Sequence, residues 1–373
     1  MSYQDRLKLY KSLEESRQRP LISYVTSIRP NIAAQMASDV ITYLIDQINE
    51  IPLEKKEIDF LIISNGGDPI TALRIITILR ERFEKITVLV PYVAFSAATI
   101  LALGADEIIM HPYSNLGPVD PQLSIIKQNK IGQQSQFTFS SEDIRNYIEF
   151  IRSDVGITDQ QHLISAFNSL AGEVGSLPIG SSKRSQQLSL SLSAKMLETH
   201  MEDKNKAASI AKALNSSYYH HGYAVGRKEA KEIGLNIVYP EVKIEKVLWD
   251  IWIDFCNEMK CNQIFDPISE ILNNPIAKQN LSNLPTVPIP LNTPPELVQN
   301  VMGQFFMQMQ AKISQQPPIE LDLLSVTIES AKAAYNAYSK HNVAYWRDIN
   351  MAIAFSVTSY FDGWVKSQGE SVC

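Results

Sequence analysis

Apolar residues recur at three- and four-residue steps over residues 30–51 (PNIAAQMASDVITYLIDQINEI), where Ile32, Met36, Val40, Tyr43, Leu44 and Ile48 share one face, and this spacing predicts an amphipathic helix. Residues 58–64 (IDFLIIS) are instead a short apolar run, the pattern of a strand buried on both faces. Helical spacing returns over residues 68–83 through Ile70, Leu73, Ile76, Ile78 and Leu79. Strand, helix and strand follow at 87–91, 97–104 and 107–110, so the connections predict crossovers and a parallel sheet of the α/β class. Residues 115–123 (NLGPVDPQL) hold too much Pro and Gly for either element and predict an ordered loop. Helices are expected at 141–155, opened by a capping-box-like Ser-Glu-Asp, and at 159–170, 183–203, 206–215 and 228–233, the last stopped by Gly234. Residues 172–182, with three glycines and a proline, predict a loop.

The character changes near residue 241. Residues 273–295 (NNPIAKQNLSNLPTVPIPLNTPP) lack periodicity and predict an extended linker, while 296–366 are rich in Met, Ala and aromatics and predict two amphipathic helices. The division is therefore a domain at 1–240 with a helical insertion at about 140–205, and a mainly helical extension at 241–373 containing the linker 273–295. The extension's aromatic and Met positions suit subunit contact, a lid, or the docking of a partner protein or a membrane surface. The first twenty residues alternate charges with apolar positions and lack the apolar core of a secretory signal, so they predict a leader helix and a cytoplasmic protein. Residues 86–105 carry no charge over a span long enough to cross a bilayer, but a β-branched half with Pro91 precedes an Ala- and Leu-rich half. A strand-to-helix switch in a buried core explains both halves, and no transmembrane segment is expected.

Composition narrows the chemistry. With 373 residues and 45% hydrophobic content the chain can bury a full core, and its net charge of −6 is dispersed without a basic stripe, which excludes nucleic acid as an expected partner. Cys256, Cys261 and Cys373 have no CxxC spacing and no His near the first two, so free thiols, no metal and no cofactor are expected.

Two stretches carry candidate chemistry. A strand ending in Gly66-Gly67 turns with positive φ and bares its N–H groups, as donors to an oxyanion must. Ser96 lies at a strand end in A-F-S-A-A-T, at the first turn of a helix, where free N–H groups and the dipole favour an anion and a hydroxyl can act as nucleophile. A plain or phosphate-binding turn for the glycines, and a simple N-cap for the serine, are the structural alternatives. Asp68-Pro69 caps and opens the following helix.

Taken in order, S-N-G-G-D-P, A-F-S-A-A-T, A-L-G-A-D-E-I-I-M, L-G-P-V-D-P-Q, H-H-G-Y-A-V at 220–225 and E-A-K-E-I-G-L at 229–235 resemble the serine dehydrogenase proteinase family. This is a branch of the Clp-fold serine peptidases that includes signal peptide peptidase A, and the resemblance covers about residues 19–238. It implies a ClpP/crotonase-like spiral of ββα units, here with a helical C-terminal extension, homo-oligomers, and hydrolysis of peptide or protein substrates through an acyl-enzyme. By the same resemblance Ser96 matches the nucleophile, and Gly67 and Ala97 match the oxyanion donors.

The base departs from that pattern. Where the Clp subunit has its His, this chain reads Val119-Asp120-Pro121-Gln122. His221 lies where the Clp subunit has its Asp, so His221 with Asp120 gives a triad with two roles exchanged, since triads are defined by geometry rather than chain order; a cap of its own loop for Asp120 and a polar turn pair for His220-His221 are the structural alternatives. Lys183, in G-S-S-K-R-S, falls where signal peptide peptidase relatives carry a catalytic Lys, a role that needs desolvation to lower its pKa. His111, before Pro112, reads as structural. A scaffold that lacks a base, and a crotonase-like thioester hydrolase, are the other two readings; the second lacks a basic cluster for the CoA phosphates.

Overall fold

The computed structural model describes residues 3–128, 134–216, 222–282, 289, 292–314, 317–348 and 352–368. α1 (Tyr3–Arg17) leads into β1 (Leu21–Thr26), α2 (Val40–Asn49), β2 (Glu57–Ile63), α3 (Pro69–Arg82), β3 (Lys85–Val90), β4 (Val93–Ala94), α4 (Ala97–Leu103), β5 (Glu107–Met110) and β6 (Asn115–Leu116). Strands β1, β2, β3 and β5 are mutually parallel, and nearly every residue in them is buried. Such burial needs apolar cover on both faces. One face is covered by α2, α3 and α4, and the other by the Tyr3, Leu7, Tyr10 and Leu13 face of α1. The charge-free run 86–105 divides into β3, β4 and α4, and no helix among the described residues is long and apolar enough to cross a membrane.

A hairpin of β7 (Gln122–Gln128) and β8 (Gln134–Ser140) then precedes the helices α5 (Ser141–Ser153), α6 (Gln160–Val174), α7 (Ser176–Leu197) and α8 (Lys204–Ser216). The loop expected at 172–182 is mostly the first turns of α7, because Pro178 near a helix start removes an N–H that has no intrahelical partner there. β9 (Val225–Gly226), α9 (Arg227–Ile233) and β10 (Ile237–Val238) close the parallel sheet on β5, and Gly234 ends α9 in the left-handed conformation at φ 110°. β4, β6 and β9 form a separate small sheet.

The tail overturns the helical expectation. α10 (Val242–Glu258), α11 (Pro267–Asn273), α12 (Pro275–Ser282) and α13 (Pro295–Ser314) give way to three long antiparallel strands, β11 (Ile319–Ser330), β12 (Ala333–Arg347) and β13 (Ile353–Gln368). They extend the main sheet to the order β10-β5-β3-β2-β1-β11-β12-β13. The period-two signal is broken by a bulge: apolar residues alternate through Ile319, Leu321 and Leu323, then resume one place out of phase at Leu324, Val326 and Ile328, with the register shifting across Ser325. β12 is rich in Ala, a helix former, and is held extended by pairing on both sides. The expected linker also starts helical, since Asn274-Pro275 opens α12, with Asn274 Oδ1 accepting the Ala277 N–H.

Candidate active site

The strand ends create the site. Ser64, just past β2, pairs with Ala94 through Ser64 N–H to the Val93 carbonyl (3.0 Å) and Phe95 N–H to the Ser64 carbonyl (2.9 Å). The chain then turns through Gly66 and Gly67 at φ 103° and 147°. A Cβ on Gly66 would lie 2.7 Å from the Phe95 carbonyl oxygen and 2.8 Å from Ser96 Cβ; one on Gly67 would lie 2.4 Å from the Met36 carbonyl oxygen. Only glycine fits this approach.

Four hydrogen bonds fix the turn. Gly66 N–H donates to Ser64 Oγ (3.0 Å), which also accepts the Thr26 hydroxyl (2.7 Å), and all of this is buried. Met36 N–H donates to the Gly66 carbonyl (2.8 Å), and Asp68 N–H to the Met36 carbonyl (2.9 Å). Met36 was expected inside a helix over 30–51, but the helix begins at Val40 and Met36 forms a bridge to Gly67 instead. Asp68 caps α3 by accepting from the N–H groups of Ile70 and Thr71, both at 3.0 Å. No described acceptor takes the N–H of Gly67.

Ser96 sits at φ 51°, ψ −118°, where a non-glycine residue is strained, and its side chain makes no capping bond to α4. It is half-buried, and no described residue bonds its hydroxyl. The N–H of Ala97, first in α4, also has no described acceptor. Thr99, one turn on, lies 2.7 Å from the Ala94 carbonyl and 2.9 Å from that of Gly117, and accepts the Gly117 N–H at 3.1 Å. It thereby locks the Gly117-Pro118 stretch against the turn that carries Ser96. The result is a serine hydroxyl and an Ala97 N–H, neither with a described partner, at the start of α4, with the Gly66-Gly67 turn packed against them through Gly66, an arrangement that can attack a carbonyl and bind the charge that develops.

Asp120 is half-buried and follows Val119, whose N–H bonds the Leu214 carbonyl (3.0 Å) and whose carbonyl accepts Ser189 Oγ. His221 lies outside the described residues; four residues later, Val225 pairs with Leu116 of β6, which in turn pairs with β4. Lys183 is exposed on α7 with its Nζ 3.3 Å from Gln186 Oε1, in a cleft between α5, α7 and α8. It lacks the burial that a lysine base needs. His111 is buried, stacks on Trp249 at 4.8 Å and accepts the Tyr113 N–H at Nδ1, and burial lowers its pKa. These contacts account for it as structural. Among the described residues no group of three or more His, Cys, Asp or Glu could hold a metal.

From the Met36 that bridges to Gly67 to the first turn of α5, residues 36–142 match the model of the ClpP-like SDH-type serine proteinases. The chain is also similar to two uncharacterized proteins of Methanocaldococcus jannaschii, 30% identical over 185 residues and 27% over 184. Each match covers 49% of this chain and 54% or 53% of the relative, so the chain spans about half the length of these curated relatives. Among solved structures it is similar to the 1510-N membrane-bound stomatin-specific protease (TM-score 0.33, 16% identity, 61% of this chain and 84% of that one). ClpP1 from Listeria monocytogenes gives a TM-score of 0.32 at 12% identity, over 63% of this chain and 99% of that one. Within the matched segment the sequence pattern singles out the glycines and Ser96 as candidates but not Thr99, and outside it not Thr26. Both are buried hydroxyls that no periodicity marks; only their polar character inside apolar runs hints at them.

Proposed function

We propose that the chain is a serine peptidase in which Ser96 is the nucleophile. The observation that carries this is the strained Ser96, without a described hydrogen-bond partner, beside the Ala97 N–H and the Gly66-Gly67 turn, whose Gly67 N–H also has no described acceptor. Ser96 Oγ attacks the substrate carbonyl carbon while its proton passes to a base, and the carbonyl oxygen takes the negative charge and is held by the two N–H groups. The tetrahedral intermediate then expels the amine, which leaves with that proton, and water hydrolyses the acyl-enzyme by the reverse sequence. His221 is the base, oriented by Asp120, because Lys183 stands exposed on α7 without the burial a lysine base needs. The exposed apolar residues of the helical insertion support self-association: α5 is amphipathic yet has no buried side chain.

Fluorophosphonate labelling read by intact mass tests the reading. The wild-type chain takes one label, Ser96→Ala takes none, and His221→Ala is labelled at least about a hundredfold more slowly, the weight of a general base. Loss in Lys183→Ala in place of His221→Ala would move the base to that lysine. An unlabelled wild-type chain refutes the proposal.

A further inference from the structure

We propose that the cleft between α5, α7 and α8 binds the carboxyl end of an extended peptide whose last residue is apolar. This goes beyond the peptidase reading and does not depend on it. The cleft has a volume of about 580 Å³, within the range of ligand-binding sites. Its walls combine the half-buried Ile144 and Ile148 of α5 with Lys183 of α7 and Lys212 of α8. The one carboxylate in the lining, Glu142, is engaged by Arg145 (2.6 Å) and by the Gln186 amide. No described carboxylate lies within ion-pair distance of Lys183 or Lys212, so two ammonium groups flank an apolar wall with their charge uncompensated.

A second observation selects the class of ligand. Asn215, only 3% exposed, lines the same cleft; its Nδ2 is used on the Ala211 carbonyl (2.8 Å) and Ser193 Oγ (3.3 Å), while its buried Oδ1 has no donor among the described residues. Buried amide oxygens are nearly always bonded, so this one calls for an N–H. The lining therefore asks for an anion, an apolar group and an N–H donor together. The last residue of a peptide presents all three as α-carboxylate, side chain and backbone N–H, whereas a fatty acid has no donor. The site also adjoins the Asp120 loop, because Leu214, next to Asn215, accepts the Val119 N–H, and Ser189 of α7 bonds the Val119 carbonyl.

The test is fluorescence anisotropy on the full-length Ser96→Ala chain, which has no nucleophile and so separates binding from turnover. The probe is an amino-terminally labelled heptapeptide ending in Leu-Leu, as the free acid and as the carboxamide. The acid is expected to bind at least about tenfold more tightly than the amide, the weight of one charge-assisted hydrogen bond. Lys183→Gln with Lys212→Gln should bring the acid down to the amide's affinity, with unchanged circular dichroism and thermal midpoint, and Asn215→Leu should weaken both forms. Equal binding of acid and amide, no binding, or full affinity in the double variant overturns the proposal. So does displacement of the peptide by laurate at matched affinity, or protection of both lysines from acetylation by self-association without peptide. None of these results bears on whether Ser96 is labelled by fluorophosphonate.

Discussion

Replacing Ser64 by alanine removes one oxygen from a site with no solvent, since Ser64 is 0% and Thr26 1% exposed. Two donors lose their acceptor, the Gly66 N–H at 3.0 Å and the Thr26 hydroxyl at 2.7 Å. A buried donor left unsatisfied costs about 1–3 kcal/mol, so Ser64→Ala should lose about 2–4 kcal/mol in urea unfolding. Thr26→Val removes only one donor and leaves the bond that holds the turn, so it should lose about 1 kcal/mol. In the double variant the Gly66 N–H is the one orphan, and the total should fall below the sum of the single losses by about 1 kcal/mol. The second readout is the rate of fluorophosphonate labelling of Ser96. If the turn at Gly66-Gly67 supplies an oxyanion donor, releasing it should slow labelling by about 10²-fold in Ser64→Ala, near the value of one such donor, and by under about tenfold in Thr26→Val. A chain that loses stability yet is labelled at the wild-type rate refutes the role given to the turn. A chain that changes in neither measure refutes the hydrogen-bond chain itself.

Gly66→Ala should lose about 2–5 kcal/mol in the same unfolding assay, because its Cβ meets backbone at 2.7 Å and φ 103° strains any other residue; a loss below 1 kcal/mol would contradict the close approach to Ser96. Arg6, 0% exposed, holds Asp254 (2.7 Å), Glu258 (2.5 Å) and Glu329 (2.6 Å), so Arg6→Leu should lose about 3–5 kcal/mol at pH 7.5 by leaving buried carboxylates unpaired. Burial already raises the pKa of Asp254 and Glu258, so the folded state binds protons more readily than the unfolded one, and the stability this brings at low pH is lost as pH rises through the folded values. The gap in Tm between Arg6→Leu and wild type should therefore narrow from pH 7.5 to pH 5, and a constant gap would count against the ion cluster. Burial pushes the Cys261 thiol up to about 11 and raises that of Cys256, so in a Cys373→Ser chain neither should react with a thiol reagent at pH 7.5 until urea unfolds the protein.

The parallel half of the sheet was legible because strands covered on both faces leave unbroken apolar runs such as IDFLII, and the helices between them keep their period. The antiparallel tail was not, since the bulge at Ser325 splits one alternation into two short ones and Ala-rich β12 carries the local preference of a helix. Met36 fails for a different reason. Its spacing continues that of α2, but its backbone is claimed by Gly66 and Asp68, a long-range bond that no window on the sequence contains. In the candidate site, the glycines and Ser96 were legible as residue types in special places. The hydroxyls that hold them were not, because Thr26 reaches Ser64 across 38 positions.

That division has a physical cause. A strained serine at a strand-to-helix turn costs of the order of 1–3 kcal/mol, which its surroundings must offset. Here α4 buries all seven of its residues, so its packing fixes the start of the helix irrespective of Ser96. Ala94, just before the turn, is bound through Ser64 to the main sheet and through β6 to the small one, and its carbonyl takes the Thr99 hydroxyl. The turn thus lies on the seam of two sheets with both ends fixed, and Ser96 has no freedom to relax. Side chains that perform chemistry need only their own type and place, and a sequence displays these. Those that hold the strain are ordinary threonines, serines and alanines, and only the fold shows which of them are engaged.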